Sequence, residues 1–291
     1  MSDLNIAGVV VLYYPDENII ENIDTYIEDL KCLYIFDNSE IDNNVMISSL
    51  LNTDKYEYIS FKENKGLGFA LDYCATRAKQ SGFSHLLTMD QDSSFDDFSA
   101  YFNEISTCKI KDVALYGVRL KKHNCKERYS IVKETITSGN VLNLDCYGMI
   151  EGYNEKLFID HIDFDLCYQF FKINKKIVLC NRILMNHVIG EPVIKKVLFI
   201  SIPLMNHSPL RDYYMYRNET YCFYRACKEG HPLFFLKHFL GYRTKTYIGI
   251  KFLEDNSSEK TKMVKLGIVH GKKGVLGKYN SNCKMEEEKK C

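Results

Sequence analysis

The chain has no tryptophan, 5 prolines and no Cys-x-x-Cys pair in 291 residues. So few prolines leave no Pro-rich linker to divide it. Its 11 cysteines are odd in number and scattered, which argues against a secreted disulfide framework and for reduced thiols in a cytosol. The first residues, MSDLNIAGVVVLYYPDEN, lack a basic segment and carry an acid at position 3, so no signal peptide is expected. The longest later apolar run, Val197 to Met205, is far shorter than the ~20 residues that cross a bilayer. A cytoplasmic protein is expected, at most peripheral on the inner face of the cell membrane. Net charge is absent as well, since 38 Lys and Arg balance 38 Asp and Glu.

What is there is ordinary globular composition, 46% hydrophobic and 26% charged, with 21 Tyr and 17 Phe to build a core. This excludes a largely disordered chain and fits one large domain, alone or with a smaller appendage. The charge balance hides an asymmetry. Residues 1–150 hold 14 basic and 23 acidic side chains, and residues 172–284 hold 21 basic and 7 acidic. An acidic half suits metal ligation and a basic half an anionic partner. No zinc-finger spacing, basic recognition helix or RNA-binding signature is visible, so nucleic acid is not the expected partner.

Along the first half, apolar runs alternate with helical patterns. Strands are expected at Ile6–Tyr13, Leu33–Phe36, Tyr56–Phe61 and His85–Met89, with helices at about 16–30 and 69–81. The middle reads as further strands and a helix that begins near Asp163. Such alternation predicts an α/β fold, a mostly parallel sheet covered on both faces. Ligands bind such sheets beyond the carboxyl ends of the strands. Asp37, Asn64, Asp90 and Asp92 all fall just past such ends.

Each candidate residue has a plainer alternative. Asp90-Gln91-Asp92 projects two carboxylates to one side of an extended segment, a hard-oxygen site for Mg²⁺ or Mn²⁺ carrying a diphosphate; a solvated turn or helix cap would use the same residues. Asp37 in Phe-Asp-Asn-Ser can accept hydrogen bonds from a ligand or close an Asx-turn. Asn64-Lys65-Gly66-Leu67-Gly68 allows close backbone approach to a phosphate or ribose, yet also suits a simple strand-to-helix turn. It is neither a dinucleotide fingerprint nor a P-loop. Asp160, Asp163 and Asp165 stand together in FIDHIDFDLCYQFF. If that run is helical, Asp160 and Asp163 share a face, and a partly desolvated carboxylate there suits a general base. His187 in LMNHVIG is either structural or a further metal ligand beside Asp92.

Taken in order, the segments VVVLYYP, FDNS, ENKGLGFALD, MDQDS, TSGNVL, FIDHIDFDLCYQFF, NHVIG and RDYYMYRNETYCFYR resemble glycosyltransferase family 2, in particular its bacterial rhamnosyltransferase-like branch. The resemblance spans about residues 6–225. It implies a GT-A fold, with residues 1–190 as the nucleotide-sugar-binding and catalytic domain. Residues 191–279 would form a basic, aromatic, mostly helical segment facing acceptor and membrane, and 280–291 a polar tail. The implied activity is inverting and dependent on Mg²⁺ or Mn²⁺. It would move a sugar, L-rhamnose from dTDP-L-rhamnose or the sugar of a UDP-sugar, to a hydroxyl of a lipid-linked oligosaccharide. That is a step of surface polysaccharide synthesis, O-antigen of lipopolysaccharide or capsule. Tyr13, Asp37, Asn64, Gly66 and Asp90 would line the nucleotide sugar, Asp37 at the base. Asp92, with Asp90 and His187, would hold the metal, and Asp163, alternatively Asp160, would be the catalytic base. Two positions depart from the family pattern: Ile162 stands where a Glu is common, which leaves the choice between Asp160 and Asp163 open, and Gln169 where an Arg is common. Lys195, Lys196, Arg211, Arg217, Arg243, Lys245, Lys272 and Lys273 would either meet anionic lipid headgroups or form a merely solvated basic face over an ordinary helical subdomain. Against a nucleotidylyltransferase, the first strand ends in Tyr13-Tyr14-Pro15-Asp16 rather than a Gly-rich basic loop. A non-catalytic nucleotide-sugar-binding module with a decayed site is the remaining alternative.

Overall fold

The computed structural model describes residues 4–120, 126–187, 193–197 and 200–280. The chain divides into two units, Met1–Asn154 with Ile162–Ile189, and Glu155–His161 with Gly190–Cys291. Part of the NHVIG segment, residues 188–190, and the tail from 281 lie outside the described residues.

In the first unit the apolar runs become strands. These are β1 (Ile6–Leu12), β2 (Cys32–Asp37), β3 (Tyr56–Ser60), β4 (His85–Asp90), β5 (Ser93–Phe95), β6 (Val113–Arg119), β7 (Tyr129–Val132), β8 (Asn140–Asn143) and β9 (Lys176–His187). Between them run α1 (Ile19–Asp24), α2 (Asn44–Leu50), α3 (Leu67–Gln80), α4 (Phe98–Ser106), α5 (Leu144–Tyr147) and α6 (Ile162–Lys172). One sheet collects the strands in the order β3-β2-β1-β4-β8-β6-β9-β5, with β7 also paired to β9. It is parallel across β3, β2, β1 and β4. The turn to antiparallel pairing comes at β8, between β4 and β6. Val9, Val10 and Leu12 of β1 are fully buried, as a Val-rich central strand covered on both faces requires.

One expected helix is cut short. Only Ile19–Asp24 is α-helical within 16–30, followed by a 3₁₀ turn at Ile27–Asp29. Thr25 closes the helix: its hydroxyl donates to Asn22 O at 2.7 Å and accepts from the Phe95 amide at 3.1 Å. Ile19, Ile23, Ile27 and Leu30 still reach the core, so the apolar spacing reported burial correctly and helix length wrongly.

The second unit opens with an antiparallel hairpin, β10 (Val193–Val197) and β11 (Ile200–Leu204), followed by α7 (Pro209–Lys228), a π-helical turn His238–Tyr242, α8 (Arg243–Phe252) and α9 (Ser257–Lys273). The hairpin is an addition to the expected helices. Helix α7 starts on Ser208, whose hydroxyl accepts the Arg211 amide at 3.2 Å, and on Pro209 in the first turn, both favoured helix-start chemistry. α7 and α9 touch backbone to backbone. A Cβ on Gly267 would lie 2.5 Å from Tyr213 O, and one on Gly271 2.3 Å from Arg217 O, so only glycine fits either place.

Arg217, expected to face lipid, is 1% exposed. Its guanidinium donates to Gly277 O at 2.6 Å and Leu157 O at 2.8 Å, and lies over the Tyr214 ring at 4.8 Å. Beside it Asn218 Nδ2 lies 2.9 Å from Leu157 O, 2.7 Å from Ile159 O and 2.9 Å from Asp160 O. Together they pin a strained segment in which Phe158, Asp160 and His161 have φ of +67°, +64° and +63°. Left-handed backbone at non-glycine residues costs ~1–3 kcal/mol each and persists only when neighbours enforce it. Arg243 also turns inward, with its side chain 12% exposed and its guanidinium 4.5 Å from the centre of the Phe239 ring. Arg211 is engaged by Asp160 at 3.2 Å. The Lys196 side chain lies outside the described set.

Candidate active site

The carboxyl ends of β1, β2 and β4 and the start of α3 are stitched into one rim. The Tyr13 amide donates to Gln91 Oε1 at 2.8 Å, and Gln91 Nε2 returns a bond to Tyr13 O at 3.3 Å. The Tyr14 amide donates to Ser39 Oγ at 2.7 Å, and the Lys65 amide to Asn38 Oδ1 at 2.8 Å. Asn64 Oδ1 accepts the Gly66 amide at 3.0 Å, and Gly66, with φ +89°, starts α3. Tyr13 and Tyr14 stand half exposed, edge to face with centroids 4.7 Å apart, a surface on which a planar base can stack.

Asp37 is fully buried. Its Oδ1 accepts the Ser39 amide at 3.0 Å, and its Oδ2 accepts Asn43 Nδ2 at 2.8 Å, the Asn43 amide at 3.3 Å and the Tyr58 hydroxyl at 2.5 Å. The carboxylate holds the turn, and any base that reaches it shares it with these partners.

Asp90, Asp92 and His187 come together although His187 lies nearly a hundred residues on. Their ligand atoms all lie within 4.8 Å of one another. Strand β5 does this by pairing Ser93 with His187 across to β9. His187 Nδ1 lies 3.2 Å from Asp92 Oδ1 and 2.7 Å from Ser93 Oγ. The Asp92 hydrogen bond raises His187 above the ordinary imidazole value; burial opposes this, and the Asp92 and Asp90 charges add to it. Burial would raise the Asp92 carboxyl, but its bond and charge interaction with His187 prevail and lower it. Two hard oxygens and one imidazole nitrogen suit Mg²⁺ or Mn²⁺ rather than a thiolate-seeking ion. An imidazole drawn towards a proton by two carboxylates is also one that a cation can occupy in the proton's place.

Behind this trio stands the Thr137-Ser138-Gly139-Asn140 segment, a motif whose role the sequence left unassigned. Ser138 Oγ accepts the Asp90 amide at 3.0 Å and donates to Ser93 Oγ at 2.8 Å. The Gly139 amide donates to Thr88 O at 2.8 Å. Gly139 has φ +77°, and a Cβ there would lie 2.6 Å from Met185 Sδ and 2.7 Å from Val118 Cγ2. Gln91, Ser93 and Ser138 are therefore site-supporting residues that sequence reasoning missed. Only the place of MDQDS and TSGN in the ordered motif set hinted at them.

Asp163 lies in the first turn of α6, where its Oδ1 accepts the Phe164 amide at 2.9 Å. Further along the helix, Cys167 Sγ lies 3.9 Å from Thr135 O, two residues ahead of the Thr137–Asn140 segment. Burial first, and then the charges of Cys167 and Asp163, raise the Tyr153 phenol, which is hydrogen-bonded to Thr88 two residues before Asp90. Gln169, at the position that departs from the family pattern, is buried and pins the preceding loop: it accepts the Glu151 amide at 3.0 Å and donates to Gly152 O at 2.8 Å and Asp165 Oδ2 at 3.0 Å. The shared helical face expected for Asp160 and Asp163 does not form, because left-handed backbone at Asp160 and His161 delays the helix to Ile162. Asp160 belongs to the second unit. Burial raises its carboxyl, although Arg211 and His207 pull the other way.

A relative named dTDP-rhamnosyl transferase RfbF, from Shigella flexneri, is 25% identical over 237 residues, covering 74% of this chain and 78% of its own. A solved mannosyltransferase, PcManGT from Pyrobaculum calidifontis in complex with GDP-Man and Mn²⁺, superposes with a TM-score of 0.59 at 9% identity. That match covers 98% of this chain and 79% of the other. These likenesses support a glycosyltransferase family and a GT-A-like α/β fold. A fainter likeness, TM-score 0.47 at 11% identity, links 92% of this chain to 44% of S. aureus TarS. No family model matches the chain.

Proposed function

We propose that the chain is an inverting, divalent-metal-dependent glycosyltransferase of the family 2, rhamnosyltransferase-like branch. In this reading residues 1–190 bind the donor and carry the chemistry, and residues 191–279 serve the acceptor side. The observation that carries it is the convergence of Asp90, Asp92 and His187 at one end of the stitched rim. The donor is dTDP-L-rhamnose, in line with a relative named a dTDP-rhamnosyl transferase, with UDP-sugars as the next candidates. The acceptor is a hydroxyl of a lipid-linked oligosaccharide on the way to a bacterial surface polysaccharide.

Asp90, Asp92 and His187 would hold Mg²⁺ or Mn²⁺, which when bound neutralises charge gathering on the departing diphosphate. Tyr13 and the Asp37–Ser39 turn receive the base, and Asn64 and Gly66 lie along the nucleoside. Asp163 accepts the proton of the acceptor hydroxyl as that oxygen attacks the sugar from the face opposite the diphosphate. A single displacement inverts the anomeric centre and needs no nucleophilic cysteine. Asp163 is preferred over Asp160 because it stands in the first turn of α6, in the same unit as Asp90, Asp92 and His187, whereas Asp160 belongs to the second unit.

The experiment is turnover of dTDP-L-rhamnose and UDP-sugars, with Mn²⁺ or Mg²⁺ and a lipid-linked acceptor, by the wild type, Asp92→Ala and Asp163→Asn. Each variant should lose at least about a hundredfold in rate. Full turnover by either variant refutes its assignment. Metal-dependent nucleotide binding with no transfer of any sugar would favour the non-catalytic reading.

A further inference from the structure

Between His231 and Leu253 the chain has no Asp or Glu. This stretch ends in the helical run 236–252, formed by the π-helical turn and α8. Its inner side is packed: Phe235 and Ile250 are buried, and Ile250 joins Tyr216 and Val264. Its outer side is not polar, as the surface of a globular helix should be. Leu233 is 73% exposed, Leu240 58%, Ile248 51% and Phe252 68%. On that side Lys237, Gly241, Thr244, Lys245 and Lys251 are exposed as well. Steps of three, four, seven and eight residues link these helical positions with Leu240, Ile248 and Phe252, the spacing of a single helical face, and Leu233 lies in the turn just ahead of it. Lys251 Nζ lies 5.1 Å from the centre of the Phe252 ring. Residues 231–280 as a whole hold ten Lys and Arg against three Asp and Glu.

An exposed apolar row of this size marks an interaction surface. Its charge selects the occupant. A second copy would bring lysine against lysine, and an interior helix would need a polar outer side. Large apolar side chains that enter hydrocarbon, flanked by lysines long enough to reach headgroups, are the pattern of a helix lying in a membrane interface. No helix among the described residues is long and apolar enough to cross a membrane, which agrees with a helix that lies on the surface. We propose that the Leu233–Phe252 face seats the second unit on an anionic lipid bilayer. This goes beyond the catalytic reading and does not depend on it, since lipid binding is read without donor or metal. Of the basic residues expected at the lipid surface it keeps Lys245, drops the inward-turned Arg217 and Arg243, and adds Lys237 and Lys251.

The test is co-sedimentation of the full chain with vesicles of phosphatidylcholine alone or mixed with phosphatidylglycerol, at low and high salt. The wild type should bind the mixed vesicles, weakly or not at all the neutral ones, and release as salt rises. The triple change of Lys237, Lys245 and Lys251 to Gln should lower partitioning by at least about tenfold, each lysine near an anionic surface being worth about fivefold. Phe252→Glu should abolish binding while leaving the melting temperature and donor hydrolysis unchanged; if that variant does not fold, Leu233→Glu, in the turn ahead of the helix, takes its place. No binding to mixed vesicles, or binding indifferent to both the apolar and the lysine variants, overturns the proposal. So does a dimer in sedimentation that the same variants convert to monomer.

Discussion

Truncating Asn218 should loosen the strained segment in front of α6, and the structure sets the size of the effect. Asn218 is fully buried, and its carboxamide faces three carbonyls, those of Leu157, Ile159 and Asp160, at 2.7–2.9 Å. Nδ2 carries two protons, so at most two of these bonds are full ones at any moment. In Asn218→Ala, Arg217 Nη2 still serves Leu157 O at 2.8 Å, the Ile159 and Asp160 carbonyls lose their donor, and Arg217 Nε loses its acceptor, Asn218 Oδ1 at 2.8 Å. A buried acceptor left unsatisfied costs about 1–3 kcal/mol. Part of that returns when left-handed Phe158, Asp160 and His161 relax. The net expectation is about 2–4 kcal/mol of destabilisation in urea unfolding, with faster hydrogen exchange at the Phe158 and Ile159 amides, which now donate to Glu155 O and Leu157 O. A loss below about 1 kcal/mol with unchanged exchange would refute the reasoning.

Two further outcomes follow from the first unit. His187 is raised above its ordinary value by Asp92, so in metal-free protein its contribution to stability is present below about pH 6.5 and lost as pH rises through its own higher value. Asp92 is lowered, so its share is present above the ordinary carboxylate value and lost as pH falls through its own. Both shares are held together only between these limits, and at a half-exposed pair they amount to no more than ~1 kcal/mol. NMR titration should find the His187 transition above 6.5 and returned towards it in Asp92→Asn; an unshifted imidazole in the wild type contradicts the pair. Gly139→Ala should cost about 2–4 kcal/mol in urea unfolding, from left-handed backbone and contact with Met185 and Val118; a change under 1 kcal/mol would mean that the segment behind Asp90 yields freely.

Much of the first unit was legible because its signals are local. Val-rich β1 and the apolar run ending at Asp90 announce buried strands, and the acids follow directly at their ends. What escaped is non-local or depends on one hydrogen bond. Thr25, at the end of α1, takes the Phe95 amide of a strand 70 residues away on its hydroxyl. Helix α2 has a favoured cap residue in Asn43, but that side chain is turned to Asp37 and makes no cap bond. Ser138 reaches Asp90 across 48 positions, which no spacing rule connects. Asp160 and Asp163 look equivalent in the sequence, and only the left-handed backbone at 160 and 161 separates them. Arg217 reads as a surface cation until the carbonyls of Leu157 and Gly277 are found around it. The TSGN and NHVIG segments carried no reason of their own in the sequence; β5 brings the second beside Asp92 by pairing Ser93 with His187.

The most direct test is anomalous diffraction from crystals grown with Mn²⁺ and dTDP. The account predicts a manganese peak at bonding distance, ~2.0–2.3 Å, from an Asp92 oxygen and within reach of Asp90 and His187, with the diphosphate on its open side. Nucleotide bound at the rim with manganese elsewhere, or manganese at the trio with nucleotide elsewhere, would contradict it.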